Sequence, residues 1–239
     1  MGLSIGPRRL PLSHFGGGGR PGAIALVIGE GGAAEADLTD ASRADRSEEK
    51  ERWRRQMRAL RNSLSPERHL ALSRQICRRL DALLAVLGAR AVGIYWPVRG
   101  ESDLSALWEE SARAGREFYF PRVQNEGMTF HAVRDPGRDL RPGRFGIPAP
   151  EADAPPGDLA ALDAVVAPGL AFGPAGERIG AGGGYYDHLF AAMPSRPPLV
   201  GAGFAFQLVW NDPLPAGPDE GFMDWIVTDR EAVRCLPRT

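Results

Sequence analysis

Between Gly180 and Gly184 the chain places four glycines in five residues, after an apolar strand-like segment and before a helix-like one. A run like this cannot continue either element, so it fixes a tight loop where a strand hands over to a helix. Glycine-rich turns also let backbone N–H groups approach phosphate oxygens, and the N-terminus of the following helix adds positive potential. The run therefore reads as an anion cradle, with a purely structural turn as the alternative. In full it is Arg178-Ile-Gly-Ala-Gly-Gly-Gly-Tyr-Tyr-Asp187. It is not the dinucleotide fingerprint, which needs a glycine where Tyr185 stands. Asp187 falls in the first turn of the next helix, where a carboxylate either offsets the helix dipole or holds Mg²⁺ beside phosphates. Tyr185 and Tyr186 divide between core packing and the site.

The rest of the chain sets this loop in an alternation of helices and strands. Trp53, Met57, Leu60 and Leu64 recur at helical spacing with arginines between them. Ser65-Pro66-Glu67 reads as N-cap, first-turn proline and first-turn acid of a second helix, which carries Leu72, Ile76, Leu80, Leu83 and Leu87 and ends at Gly88. Residues 91–96 form a buried strand, 103–114 a helix, 117–120 and 128–133 strands. Residues 143–150, rich in Gly and Pro, form a loop. Residues 162–167 form a buried strand, 173–184 a loop, 185–193 a helix, and 199–204 and 225–227 the closing strands. This order implies an α/β fold, a layered sheet flanked by helices in a single domain. A ligand site belongs beyond the C-terminal ends of its strands. Residues 1–47 read as a disordered or non-native extension and 48–239 as the folded domain.

Composition narrows the function. The 29 basic residues are 28 arginines and one lysine, Lys50. A Walker A loop, which needs Gly-Lys-Ser/Thr, is thereby excluded, and a Schiff-base enzyme would have to use Lys50 itself. A lone ammonium in an arginine background points to a site that needs a compact point charge, against the alternative of a solvated surface lysine. The two cysteines, Cys77 and Cys235, lie too far apart in sequence for a metal motif and read as reduced thiols. His14, His69, His131 and His188 form no cluster, and Gly-x-Ser-x-Gly is absent. Net charge is −1, which argues against nucleic-acid or membrane partners. The apolar run 23–28 is far short of the ~20 residues a spanning helix needs. A monomeric cytoplasmic protein is expected.

Three segments together resemble the 5-formyltetrahydrofolate cyclo-ligase (methenyltetrahydrofolate synthetase) family: the run Arg178 to Asp187, the opening Lys50-x-x-x-Arg54, and the ending Asp224-Trp-Ile-Val-Thr228. The similarity covers roughly residues 48–232. It implies ATP-dependent cyclisation of 5-formyltetrahydrofolate, with or without a polyglutamate tail, to 5,10-methenyltetrahydrofolate through a phosphorylated formyl oxygen. ATP and Mg²⁺ are the implied cofactors. Lys50, Arg54 and Arg178 match phosphate-facing positions, Lys50 and Arg178 being the catalytic pair. Gly180, Gly182, Gly183, Gly184, Tyr185 and Tyr186 match the nucleotide loop. Glu101 and Phe145 match folate-binding positions, which Tyr186 joins. Asp187 matches a Mg²⁺ ligand, and Glu220 retains a carboxylate where a second is expected.

Three positions depart from the family pattern. Gly173 stands where Asp is frequent, Ala181 where Tyr or Arg is frequent, and Asp219-Glu220 where His-Asp is common. They motivate an alternative, a non-catalytic folate-binding paralogue. A nucleic-acid-binding module built on the arginine-rich first helix is a third reading, against which the mixed charges of that helix argue.

Overall fold

The computed structural model describes residues 32–111, 115–124, 127–193, 196–217 and 221–236, with backbone alone for 32–43 and 110–111. Internal contacts divide the chain into Met1–Thr39 and Asp40–Thr239. The described part of the first unit is helical; the sheet and the cleft belong to the second. Among the described residues no helix is long and apolar enough to cross a membrane.

Helix α1 (Gly32–Asn62) begins inside the segment read from the sequence as a disordered extension, so residues 32–47 are helical, continuous with the turns that carry Trp53 and Met57, while residues 1–31 lie outside the described residues; α2 (Pro66–Val86) follows across a short turn. The Ser65 side chain accepts from Arg68 N, and Gly88 takes φ +67 just past the end of α2, so both ends stop where the local residues dictate. β1 (Ala91–Gly93), α3 (Ser105–Ser111), β2 (Glu117–Gln124) and β3 (Gly127–Val133) come next. A one-turn α4 (Pro136–Asp139) leads into a hairpin of β4 (Leu140–Pro142) and β5 (Pro148–Pro150). Proline and glycine in residues 143–150 thus do not make the whole segment a loop: Gly143 and Gly146 form the turn, and the prolines sit in the arms.

β6 (Ala164–Pro168) precedes a second small hairpin, β7 (Ala171–Phe172) with β8 (Arg178–Ile179). After the glycine loop come α5 (Tyr185–Ala192), β9 (Leu199–Ala202), β10 (Trp225–Val227) and β11 (Ala232–Arg234). The main sheet has the order β11-β10-β9-β6-β1-β2-β3. Its five inner strands run parallel, and β3 and β11 close the edges antiparallel.

Side chains alternate across this sheet with the period of two that strands impose. Val92, Ile94, Val166, Val200 and Val227 face α2 and α3, meeting Ile76, Leu80 and Leu107. Val165, Ala167, Leu199 and Ile226 face the opposite way and meet Leu189 and Phe190 of α5. Helices on both faces of a mostly parallel sheet make the layered α/β fold expected above. A third cluster seats α1: Trp53 and Met57 pack on Leu170, Ala171 and Ile179. That docking lays α1 across the ends of β6 and β8, next to the glycine loop.

Candidate active site

Lys50, Arg54, Arg58 and Arg61 follow one another at helical spacing of four, four and three residues, so one face of α1 carries all four. At 1.5 Å per residue the stripe is about 16 Å long. It lines a cleft of about 620 Å³. The remaining wall comes from the segments after β1 and β6, from β2 and β3, from the β4–β5 hairpin, and from residues 178–187. The cleft therefore lies at C-terminal strand ends, as a parallel sheet requires.

The glycine loop occupies residues 180–184 between β8 and α5. Gly182 has φ +111 and Gly184 φ +68, backbone that L side chains rarely adopt. Helix α1 clamps the loop by its carbonyls: Arg54 Nε donates to Gly180 O at 3.0 Å and Arg58 donates to Ala181 O at 3.4 Å. Both arginines also pair with Glu51, at 3.3 and 3.4 Å. A loop held by its carbonyls is left with its N–H groups to offer an anion, and the start of α5 adds its dipole.

Arg178 and Asp187 flank the loop. The Arg178 guanidinium is buried, donates to Asp187 Oδ1 at 2.6 Å and to Pro168 O at 3.4 Å, and lies 5.5 Å over the Tyr186 ring. Its Nε is buried without a hydrogen-bond partner. Asp187 is the acidic residue of the cleft beside the loop. Among the described residues no three His, Cys, Asp or Glu side chains cluster as a protein-built metal cage. One carboxylate beside a phosphate cradle still suits Mg²⁺, which typically takes one or two carboxylates and completes its shell with phosphate oxygens and water. Glu220 and Asp219 lie outside the described residues.

Glu101 and Phe145 line the same cleft. Glu101 closes a turn in which Arg99 and Gly100 have φ +51 and +74; its Oε2 accepts from Val98 N at 3.1 Å. Burial pushes its carboxyl above the usual carboxylate range, against the opposing pull of Arg61, the Val98 N–H and Arg99. Phe145, at the tip of the β4–β5 hairpin, is 63% exposed and holds φ +60, with the Arg144 guanidinium 5.0 Å from its ring. An exposed aromatic ring in left-handed backbone at a cleft mouth is a surface offered to a planar partner.

All the described candidates from the sequence thus share one cleft: Lys50, Arg54, Glu101, Phe145, Arg178, Gly180, Gly182, Gly183, Gly184, Tyr185, Tyr186 and Asp187. Sequence reasoning passed over Arg58, Arg61 and Tyr95, which also line it. A signal for Arg61 existed. Trp53, Met57 and Arg61 fall at i, i+4 and i+8, so Arg61 continues the buried face, whereas Leu60 is 39% exposed. Neither cysteine lines the cleft or forms a disulfide: the Cys77 thiol donates to Asp103 O at 3.3 Å, and burial pushes the Cys235 thiol up to about 12.

With this geometry in view, a family model described as the 5-formyltetrahydrofolate cyclo-ligase family matches residues 46–229. The 5-formyltetrahydrofolate cyclo-ligase of Escherichia coli (strain K12) is 30% identical over 171 residues, covering 67% of this chain and 94% of the relative. The Saccharomyces cerevisiae 5-formyltetrahydrofolate cyclo-ligase is 28% identical, covering 74% of this chain and 94% of its own. The solved structure of Aquifex aeolicus 5,10-methenyltetrahydrofolate synthetase superimposes with a TM-score of 0.69 at 28% identity over 80% of this chain.

Proposed function

Because this chain belongs to the 5-formyltetrahydrofolate cyclo-ligase family, we propose that this cleft brings ATP and the folate together, phosphates on the glycine loop and pterin toward Glu101. The activity is the ATP-dependent cyclisation of 5-formyltetrahydrofolate to 5,10-methenyltetrahydrofolate, with ADP and phosphate released. The observation that carries the assignment of residues is that the cationic stripe, the loop, Glu101 and Phe145 all line one cavity.

The formyl oxygen attacks the γ-phosphorus and the bond to the ADP oxygen breaks. The N10 lone pair then attacks the activated carbon. N10 gives up its proton, and phosphate departs with the former formyl oxygen. The substrate supplies its own nucleophiles, so the protein's task is positioning and charge neutralisation. Lys50 and Arg54 face the phosphates, the N–H groups of Gly182, Gly183 and Gly184 cradle them, and Arg178 neutralises charge on the transferred group. Tyr185 and Tyr186 wall the nucleotide. Glu101 accepts from the paired N–H donors of the pterin edge, and Phe145 covers its ring. Bound Mg²⁺ would be held by Asp187 and would neutralise charge on the phosphates as the bond to ADP breaks.

This reading makes residues 48–239 the catalytic body. One chain supplies every residue it uses, so a monomer suffices, acting in the cytoplasm on folates with or without a polyglutamate tail. Near-ultraviolet absorbance with 5-formyltetrahydrofolate, ATP and Mg²⁺ tests it: product must form only when all three are present, and folate binding without ATP consumption would favour the non-catalytic paralogue.

A further inference from the structure

Arg61 is the deepest member of the α1 stripe, only 5% exposed. Its Nη2 donates to Gly169 O at 3.3 Å and lies 3.9 Å from Glu101 Oε1, too long for a hydrogen bond but within ion-pair range. Its Nε is buried with no hydrogen-bond partner. A buried guanidinium with an unsatisfied N–H is a costly choice, since each such donor forfeits its hydration. Packing alone does not call for a cation there: the neighbours on the same face, Trp53 and Met57, are apolar.

Glu101 explains the charge. One of its oxygens is fixed by Val98 N, and the other faces Arg61. The charged and titratable groups around the carboxyl are Arg61 from α1, Arg99 from its own turn, Tyr95 after β1, and Tyr186 from α5. Of these, Arg61 is the strongest influence favouring the ionised form.

We infer that Arg61 is a positioning residue for folate recognition: its guanidinium keeps Glu101 an ionised, fixed acceptor for the pterin N–H donors while staying out of contact with ATP. The inference rests on the assignment of Glu101 to the folate made above. It also separates the stripe by task, with Lys50 and Arg54 serving phosphates and Arg61 serving the other substrate.

The test compares Arg61→Gln, Arg61→Lys, Glu101→Gln and the double variant Arg61→Gln/Glu101→Gln, each verified as folded by circular dichroism. The folate KM is measured as a function of pH, and the ATP KM at one pH. For Arg61→Gln the folate KM should rise at least about tenfold, with the ATP KM within about twofold. The pH below which folate binding fails should move upward, because a carboxylate without its cation protonates earlier. In the Glu101→Gln background the same substitution should add little, since the two act through one interaction. Arg61→Lys keeps the charge but loses the planar guanidinium that bridges Gly169 O and Glu101, so an intermediate folate KM is expected. If Arg61→Gln does not fold, Arg61→Lys decides. A folded Arg61 variant with a wild-type folate KM and an unmoved acid limb overturns the inference, as do losses that multiply in the double variant. If Glu101→Gln alone leaves the folate KM unchanged, the assignment of Glu101 fails and this inference falls with it. If only the Arg61 variants are silent, the assignment stands and Arg61 is structural.

Discussion

The Arg178 guanidinium and the Asp187 carboxylate stand 2.6 Å apart, closing the glycine loop at its base. The arginine side chain is 4% exposed and the carboxylate 30%, so the pair sits at the boundary between core and cleft. In the proposed function both partners serve the triphosphate, Arg178 directly and Asp187 through Mg²⁺. Asp187→Asn keeps an acceptor for Arg178 but not the charge. It should cost about 1–2 kcal/mol of stability, from a charge-assisted bond made neutral. Turnover should fall about a hundredfold, with the Mg²⁺ requirement moved to higher concentration. Metal titration of the rate, alongside a denaturant melt, separates the two effects.

Lys50 lines the cleft from the α1 stripe and is half-buried. Lys50→Met should lower ATP-dependent turnover by at least about a hundredfold, the usual cost of removing one preorganised charge from a developing anion. Its melting temperature should stay near wild type, because the side chain is no part of the core. Calorimetry of ATP binding and steady-state rates on the same preparation check this.

Two glycines distinguish strain from function. A Cβ on Gly176, at φ +94, would fall 2.2 Å from Met223 O, in the β7–β8 turn. Gly176→Ala should lose about 3 kcal/mol, strain and clash together. A Cβ on Gly182, at φ +111, meets only the Arg54 guanidinium at an ordinary 3.7 Å. Gly182→Ala should lose about 1–2 kcal/mol from backbone strain alone. Its ATP KM should rise about tenfold as the loop N–H groups turn, about 1.4 kcal/mol of binding. Urea unfolding and ATP KM values on both variants read the contrast.

Phe145 has little to lose in the folded protein. Removing a ring that is 63% exposed should leave stability within about 0.5 kcal/mol. The folate KM should rise about tenfold as ring contact with the pterin is lost. ATP KM should not change. Kinetics with each substrate varied in turn settle the point.

Glu101 predicts a pH dependence of known sign. Burial is the main cause that raises its carboxyl above the ordinary value. Folate KM should therefore climb as pH falls through that raised value, at a pH where an exposed glutamate stays ionised. In Glu101→Gln the KM should be high and flat over the same range. For stability, a folded-state pKa above the unfolded one means the folded protein holds this proton more tightly. That contribution is present below the unfolded pKa and is lost as pH rises through the folded one. Denaturant melts of wild type and Glu101→Gln across the acid range read the difference.

The parts of this molecule legible in its sequence are those set by local chemistry. Ser65-Pro66 started α2 where it does, Gly88 ended it, and the glycines of residues 180–184 made a loop between strand and helix. The wall around Glu101 was harder to read. Arg61 is an arginine among arginines, and only docking of α1 through Trp53 and Met57 turns it inward. Residues 143–150 looked like loop because Pro and Gly dominate them, yet pairing of Leu140–Pro142 with Pro148–Pro150 makes a hairpin. At Gly173 a side chain would meet Glu177 Oε2 at 2.3 Å, so this departure from the family pattern is matched by the local packing of the β7–β8 turn.

The most direct test follows one atom. If the folate and the triphosphate meet in this cleft, so that the formyl oxygen attacks the γ-phosphorus, that oxygen must leave in phosphate. 5-Formyltetrahydrofolate labelled with heavy oxygen in the formyl group, turned over with unlabelled ATP and Mg²⁺, should give inorganic phosphate carrying one heavy oxygen per methenyl product, read by mass spectrometry. Unlabelled phosphate accompanying product formation would contradict the account.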